Sequence, residues 1–307
     1  MTRARFIAIW CAALIACTVS VGISRAQLTV TGVGGGFGAG SSQDAATTAW
    51  VNAVVAAGGA VSNTQKTRVN TLIVALKAHS LFTQLDCLWL WAGESDHFQA
   101  TIDIINAGAG GKCVGVEHGN LTSTGLTAAG YVGNGTTGYF DSSFGPATGP
   151  NYTSASALMG VYVTSSRASG GAQYSGVQDT GTGFNDQLDP YTFGNSQCII
   201  NTGFVGGTVA SGNGLYVETQ VSGTATLYNF STTNGTSGSI ASAANASPHA
   251  PTTNFFFAAV NAAGTPSNFS TDTLAAGFLG AGLSSGNVST LATDLNAYMT
   301  AWGQNQF

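Results

Sequence analysis

Leu215-Tyr216-Val217-Glu218-Thr219-Gln220-Val221-Ser222-Gly223-Thr224-Ala225-Thr226-Leu227-Tyr228-Asn229-Phe230 is the stretch on which the fold turns. Two runs rich in β-branched and aromatic residues flank Ser222-Gly223, and Val221-Ser222-Gly223-Thr224 is short enough to join them as a tight hairpin. Outward from this pair the same pattern recurs at Val114 to Glu117, Leu158 to Val163, Gln197 to Ile200 and Phe255 to Val260, each bounded by Gly, Asn and Ser clusters. Asn234-Gly235 adds the strongest type I′ turn signal in the chain. This spacing predicts a mainly β chain folded as an antiparallel β-sandwich. Composition agrees: charged residues make up 7% of the chain and 43 residues are glycine, where a soluble domain ordinarily carries about a quarter charged residues. Polarity therefore comes from Gly, Ser, Thr and Asn, the residues of turns. No internal repeat of solenoid or propeller length is visible.

Helical periodicity brackets the strands. From Asp44, Trp50, Val54 and Ala57 recur at helical spacing until Gly58-Gly59 supplies a stop. Ser62 or Asn63 caps a second helix, with Val69, Leu72, Ile73 and Leu76 on one stripe and Lys77 with His79 in the last turn, where the dipole favours positive charge. Leu85 to Trp91 is too short and too aromatic for another helix and reads as a buried strand, after which Phe98, Ile102 and Ile105 return to helical spacing. At the other end Ser284 or Ser285 caps a helix carrying Val288, Leu291, Leu295, Tyr298, Met299 and Trp302 on one face. That face must dock, on the sandwich or on the paired helices. The expected organisation is a helical lead-in over 44–107 with one buried strand, and a sandwich over 108–307 closed by the last helix, the two forming one unit.

The first residues have another purpose. Two arginines within Met1 to Arg5, the apolar run Phe6 to Ile23 and the small residues around Arg25 are laid out as a signal peptide, with cleavage after Ala26. Leu14-Ile15-Ala16-Cys17 offers a competing lipobox cut that would leave a lipid on Cys17, and an uncleaved leader would act as a membrane anchor. Each reading places the remainder outside the cytoplasm, secreted, periplasmic or at the cell surface. Residues 27–43, dense in glycine, read as a flexible segment. Without the leader, five cations face thirteen acids, a formal charge of −8. Lys66, Arg68 and Lys77 fall in one segment and no basic stripe follows, which argues against nucleic acid as a partner. Cys87, Cys113 and Cys198 remain, either as one disulfide with a spare thiol or as three buried thiols.

Gly130-Tyr131-Val132-Gly133-Asn134-Gly135, Gly138-Tyr139-Phe140-Asp141, Gly160-Val161-Tyr162-Val163, Asn261-Ala262-Ala263-Gly264-Thr265-Pro266-Ser267 and Gly280-Ala281-Gly282-Leu283 carry a resemblance. From roughly Leu81 to Trp302 the chain resembles the concanavalin A-like, laminin-G-type jelly-roll proteins found among phage and prophage structural proteins and secreted bacterial proteins. The resemblance implies a jelly-roll sandwich with a helical lead-in and a closing helix, and glycan binding or a structural role at a surface. It carries over no catalytic residue, since nothing in the matched segments is catalytic.

Several clusters have the composition of a site. Tyr131, Tyr139, Tyr174 and Tyr191, with Asn134 and Asp141 nearby, stand among Gly, Asn and Thr. Ring faces flanked by amides and carboxylates are what a sugar stacks on, its C–H face meeting the π-system and its hydroxyls meeting Asn and Asp. Asn185, Asp186 and Asp189 form an oxygen-rich loop of the kind that holds Ca²⁺ in lectin-like sandwiches, although calcium needs six to eight oxygens; no other cofactor is expected. Glu94, Asp96 and His97 are the densest polar cluster, and Glu94-Ser95-Asp96 has the alternating spacing with which sandwich glucanases aim two carboxylates into one groove. Gly93 suggests that the strand has already ended there, which favours a helix-capping loop. Gly282-Leu283-Ser284-Ser285-Gly286 matches a nucleophile elbow, but the last histidine is His249 and lies upstream. Gly133-Asn134-Gly135-Thr136-Thr137-Gly138 matches a dinucleotide loop without the helix that must follow it. The leading expectation is a non-enzymatic, extracytoplasmic lectin-like protein whose partner is carbohydrate or another surface or virion protein. A hydrolase or lyase of the same fold centred on Glu94 and Asp96, and a purely structural phage-derived subunit, are the alternatives.

Overall fold

Ser222 and Gly223 adopt φ values of 49° and 79°, the pair of positive angles that a type I′ turn requires. Val221 therefore faces Thr224, and strands Gly214–Val221 and Thr224–Ser231 pair antiparallel from there to Leu215 and Phe230. The computed structural model, which describes residues 43–107, 113–122, 124–167, 175–179, 185–246 and 248–307, builds two sheets around this hairpin. The leader and residues 27–42 lie outside the described residues. In the first sheet the order is Thr236–Ala244, Thr224–Ser231, Gly214–Val221, Ser156–Ser165 and Thr273–Gly280. The far edge of the last strand is shared by Gly130–Val132, itself paired with Leu126–Thr127, and by Leu85–Leu90. The second sheet runs Gly203–Thr208, Asn195–Ile200, Asn185–Thr192, Ser175–Gln178, Phe256–Phe257, Tyr139–Asp141 and Val116–His118. Val260–Ala262 joins Ser175–Gln178 in parallel, and Thr265–Ser267 pairs with Val260–Ala262; every other described pair of strands is antiparallel.

The first sheet is buried on both sides. Trp89, Met159, Val161, Tyr216 and Leu227 meet Val177, Leu188, Cys198, Ile200 and Val205 of the second sheet, while Leu88, Leu158, Tyr162, Leu215, Val217 and Phe278 point the other way, into the helices. Strands covered on both faces need no polar alternation. Hence all six residues of Leu85–Leu90 are buried, and so is the run Ala157 to Val163. Two sheets and a helical layer make up an antiparallel β-sandwich with N-terminal and C-terminal helices.

Helix α1 (Ala45–Ala57) is capped by Asp44, which accepts from Ala46 N, and ends at Gly58 with φ 103°. A Cβ on Gly59 would come within 2.6 Å of Phe98 Cβ, so the second glycine leaves room for that ring rather than shaping the turn. Helix α2 (Asn63–Ala78) takes Ser62, not Asn63, as its cap. The expected helix around Phe98, Ile102 and Ile105 shrinks to α3 (His97–Thr101). Asp103 is the reason. Its carboxylate accepts from Leu88 N, Ile105 N and Asn106 N, which pins the chain against Leu85–Leu90 and turns it out of the helical path; burial pushes the Asp103 pKa up to about 6. Helix α4 (Ser285–Ala301), capped by Ser284, docks on both candidate surfaces at once. Its apolar stripe packs with that of α2 over the first sheet, Tyr298 Oη donates to Ala92 O at 3.0 Å, and His79 Nδ1 lies 2.9 Å from Asp294.

Asn234-Gly235 does not form the two-residue turn its sequence suggests. Ser231 pairs with Thr236 across a four-residue loop, and the Asn234 side chain clamps it instead. Its Oδ1 accepts from Ala210 N and Ser211 N, and its Nδ2 donates to Ser211 O and Asn229 Oδ1. Asn234→Ala removes these bonds and a further one from Nδ2 to Tyr216 Oη, and is expected to cost about 1 to 3 kcal/mol, read as a lower urea midpoint with an unchanged slope. Cys87 and Cys113 form a disulfide, and Cys198 is the buried free thiol.

Candidate functional site

The outer side of the second sheet, at the edge formed by Val116–His118 and Tyr139–Asp141, gathers the groups with the least structural employment. Strand alternation sends Phe140 inward against Trp89 and Trp91 and therefore turns Tyr139 and Asp141 outward. Register places His118 opposite Tyr139 and Val116 opposite Asp141. The His118 ring stacks on Tyr139 with centroids 4.3 Å apart and planes 4° from parallel, and Tyr139 stacks in turn on Phe256 at 4.6 Å. Phe269 leans against Tyr139 at 6.2 Å. Tyr139 thus has a ring against it on either hand, and the ladder offers hydroxyl and ring edges more than an open Tyr139 face.

Among the described residues, Tyr139 Oη and the His118 ring nitrogens make no hydrogen bond, and Asp141 accepts only from Ser143 N, through Oδ1. Burial, and then the charge of Asp141, hold the Tyr139 phenol above its usual range, so it remains a neutral donor at physiological pH. Asn134 shapes the approach to this strand: its Oδ1 accepts from Thr136 N, Thr137 N and Gly138 N, closing the turn before Tyr139.

The other tyrosines do not join this face. Tyr131 is only 1% exposed; its ring packs between Trp91 and Phe140, and its hydroxyl donates to Glu117. Tyr191 packs against the core between the sheets, and its carbonyl accepts from Arg167 Nη2. Tyr174 lies outside the described residues.

Glu94, Asp96 and His97 come together as a joint between elements. Asp96 caps α3 through Phe98 N and Gln99 N and also accepts from Ala60 N. Glu94 accepts from Ser62 N, Ser62 Oγ and Gln99 Nε2. His97 Nδ1 sits 2.7 Å from Glu117, so the three side chains tie the start of α2, α3 and the strand Val116–His118 to one another.

Asp186 and Asp189 are both fully buried but serve different partners. Asp186 accepts from Tyr152 Oη at 2.7 Å and from Asn201 N at 2.5 Å, and burial pushes its pKa up to about 7. Asp189 accepts from Arg167 Nη2 at 2.5 Å, from Tyr191 N and from Thr192 Oγ1; burial raises its pKa while Thr192 and Arg167 oppose the rise. Asn185 Oδ1 is buried without a hydrogen-bond partner among the described residues. Arg167 already supplies the positive charge beside Asp189, and among the described residues no three His, Cys, Asp or Glu side chains are placed to hold a metal ion.

Sequence reasoning missed His118 and the buried acid Glu218. His118 becomes visible only through cross-strand register with Tyr139. Glu218 carried a local signal, as the single charged residue between Leu215 and Phe230.

The chain is defined as an antiparallel β-sandwich with a helical layer on one sheet and an aromatic edge on the other. No family model and no curated protein matches the sequence. Solved structures with partial likeness include the NanB sialidase of Streptococcus pneumoniae, at TM-score 0.31 and 13% identity over 44% of this chain and 23% of that one. Trypanosoma rangeli sialidase gives TM-score 0.39 and 11% identity over 76% of this chain and 40% of that one. The chain spans less than half the length of either. Likeness at this level carries no argument about activity.

Proposed function

We propose that the protein is an exported, non-enzymatic, lectin-like sandwich of the concanavalin A-like kind that binds carbohydrate at the edge formed by His118, Tyr139 and Asp141. One observation carries this reading: three polar tips without full structural partners stand on an aromatic ladder at the surface. The Tyr139 hydroxyl and the second Asp141 oxygen suit sugar hydroxyls, and the flanking His118 and Phe269 rings suit the apolar C–H face of a pyranose. Glu94 and Asp96, in contrast, spend their oxygens on backbone and side-chain groups of their own fold, which weighs toward binding rather than hydrolysis. Export is supported by the arginine-led apolar leader and by the Cys87 to Cys113 disulfide, a bond that persists in oxidising compartments. A glycan array probed with the protein, with and without calcium, is expected to give a restricted set of positives. An array that stays blank in both conditions overturns the reading.

A further inference from the structure

Between the two sheets lies a carboxyl group that the proposed binding face does not use. Glu218 projects from Gly214–Val221 on the side that, with Tyr216, faces the second sheet. It is fully buried, and among the described residues neither of its oxygens has a nitrogen or oxygen hydrogen-bond partner. The titratable group that faces it from the second sheet is the Cys198 thiol, which itself donates to Val205 O at 3.5 Å. The residues beside it within its own sheet are Met159 and Leu227, neither of which titrates. From Asn185–Thr192 the nearest charge is Asp186, another acid, which holds the Tyr152 hydroxyl and feels Asp179 behind it. Among the described residues no cation is paired with this group, and Arg167 is engaged by Asp189 and Asp272. An ionised carboxylate in such a place has lost its water and gained a like charge.

We propose that Glu218 is a proton-held latch between the sheets, closed while the carboxyl group is neutral and opened locally, around Cys198, when it ionises. Burial raises the folded-state pKa of Glu218 well above 4.5. Stability from this group is therefore complete below the unfolded value and is lost as pH rises toward the folded one. Asp186, raised to about 7, acts in the same direction. Each proton released on unfolding lowers the folding equilibrium constant tenfold per pH unit, so the sandwich is firmest in mild acid.

The test is urea unfolding of the full chain and of Glu218→Gln and Glu218→Leu from pH 5 to 9, with alkylation of Cys198 at pH 8 followed by peptide mass spectrometry. Glu218→Gln keeps the shape, and Glu218→Leu removes the need for any partner. Whichever variant is the more stable is expected to lose at least half a proton from the wild-type pH slope and to label Cys198 at least tenfold more slowly. A smaller change in slope, an unchanged labelling rate, or failure of both variants to fold at pH 8 where wild type folds overturns the latch.

Discussion

Arg167→Met is expected to lower the free energy of unfolding by about 3 to 5 kcal/mol at pH 7. The Arg167 side chain is 3% exposed and bridges two buried carboxylates, with Nη2 2.5 Å from Asp189 and Nη1 3.1 Å from Asp272. Nη2 also donates to the carbonyl of Tyr191. Methionine replaces the aliphatic stem but leaves two negative charges facing each other without water. Burial already raises the Asp189 pKa, so the cost should shrink as pH falls and Asp189 takes up a proton, and the gap between wild type and variant is expected to be smaller at pH 4.5 than at pH 7. Adding Asp189→Asn and Asp272→Asn should recover much of the loss, because removing every partner of a buried network costs less than orphaning some of them. Urea unfolding at both pH values checks this. A loss below about 1 kcal/mol at pH 7 would place the cluster among ordinary surface ion pairs.

Trp89→Ala is expected to cost about 3 to 5 kcal/mol at any pH. Trp89 is fully buried between the sheets, with edge-on contacts to Phe140 at 5.3 Å and Phe257 at 5.7 Å. Phe140 belongs to the strand that carries Tyr139 and Asp141, so the same ring that seals the core also holds the candidate binding strand in place. Trp89 Nε1 has no hydrogen-bond partner among the described residues, and Trp89→Phe, which keeps the aromatic contacts, should lose clearly less than the alanine variant. Equal losses from the two would mean that the ring contacts are not what the position requires. For a domain whose net stability is on the order of 5 to 15 kcal/mol, either large loss is a substantial share of the whole.

What the sequence discloses here is local chemistry. The caps at Ser62 and Ser284 are legible to within one residue because capping is settled within three residues, and Val221-Ser222-Gly223-Thr224 is legible because the turn accepts few other residues. Apolar runs such as Leu85 to Leu90, interrupted only by Asp86, announce burial on two faces. Long-range meetings are not legible. Asp272 reaches Arg167 across 105 residues and Tyr298 reaches Gln65 across 233, and nothing near either residue in sequence encodes its partner. The same holds for Asn234, whose turn propensity was overridden by the backbone groups of Ala210 and Ser211 that it clamps. At the candidate site the aromatic composition was visible, but register alone decided that Tyr139 faces out beside His118 while Tyr131 faces in beside Trp91.

Binding at the aromatic edge is the claim on which the functional account stands. Its most direct measurement is a calorimetric titration of an array-positive glycan into wild type and Tyr139→Ala. The account expects affinity to fall more than tenfold in the variant while its unfolding midpoint stays within a few degrees of wild type. Unchanged affinity in a folded Tyr139→Ala protein would contradict it and move the site elsewhere on the molecule.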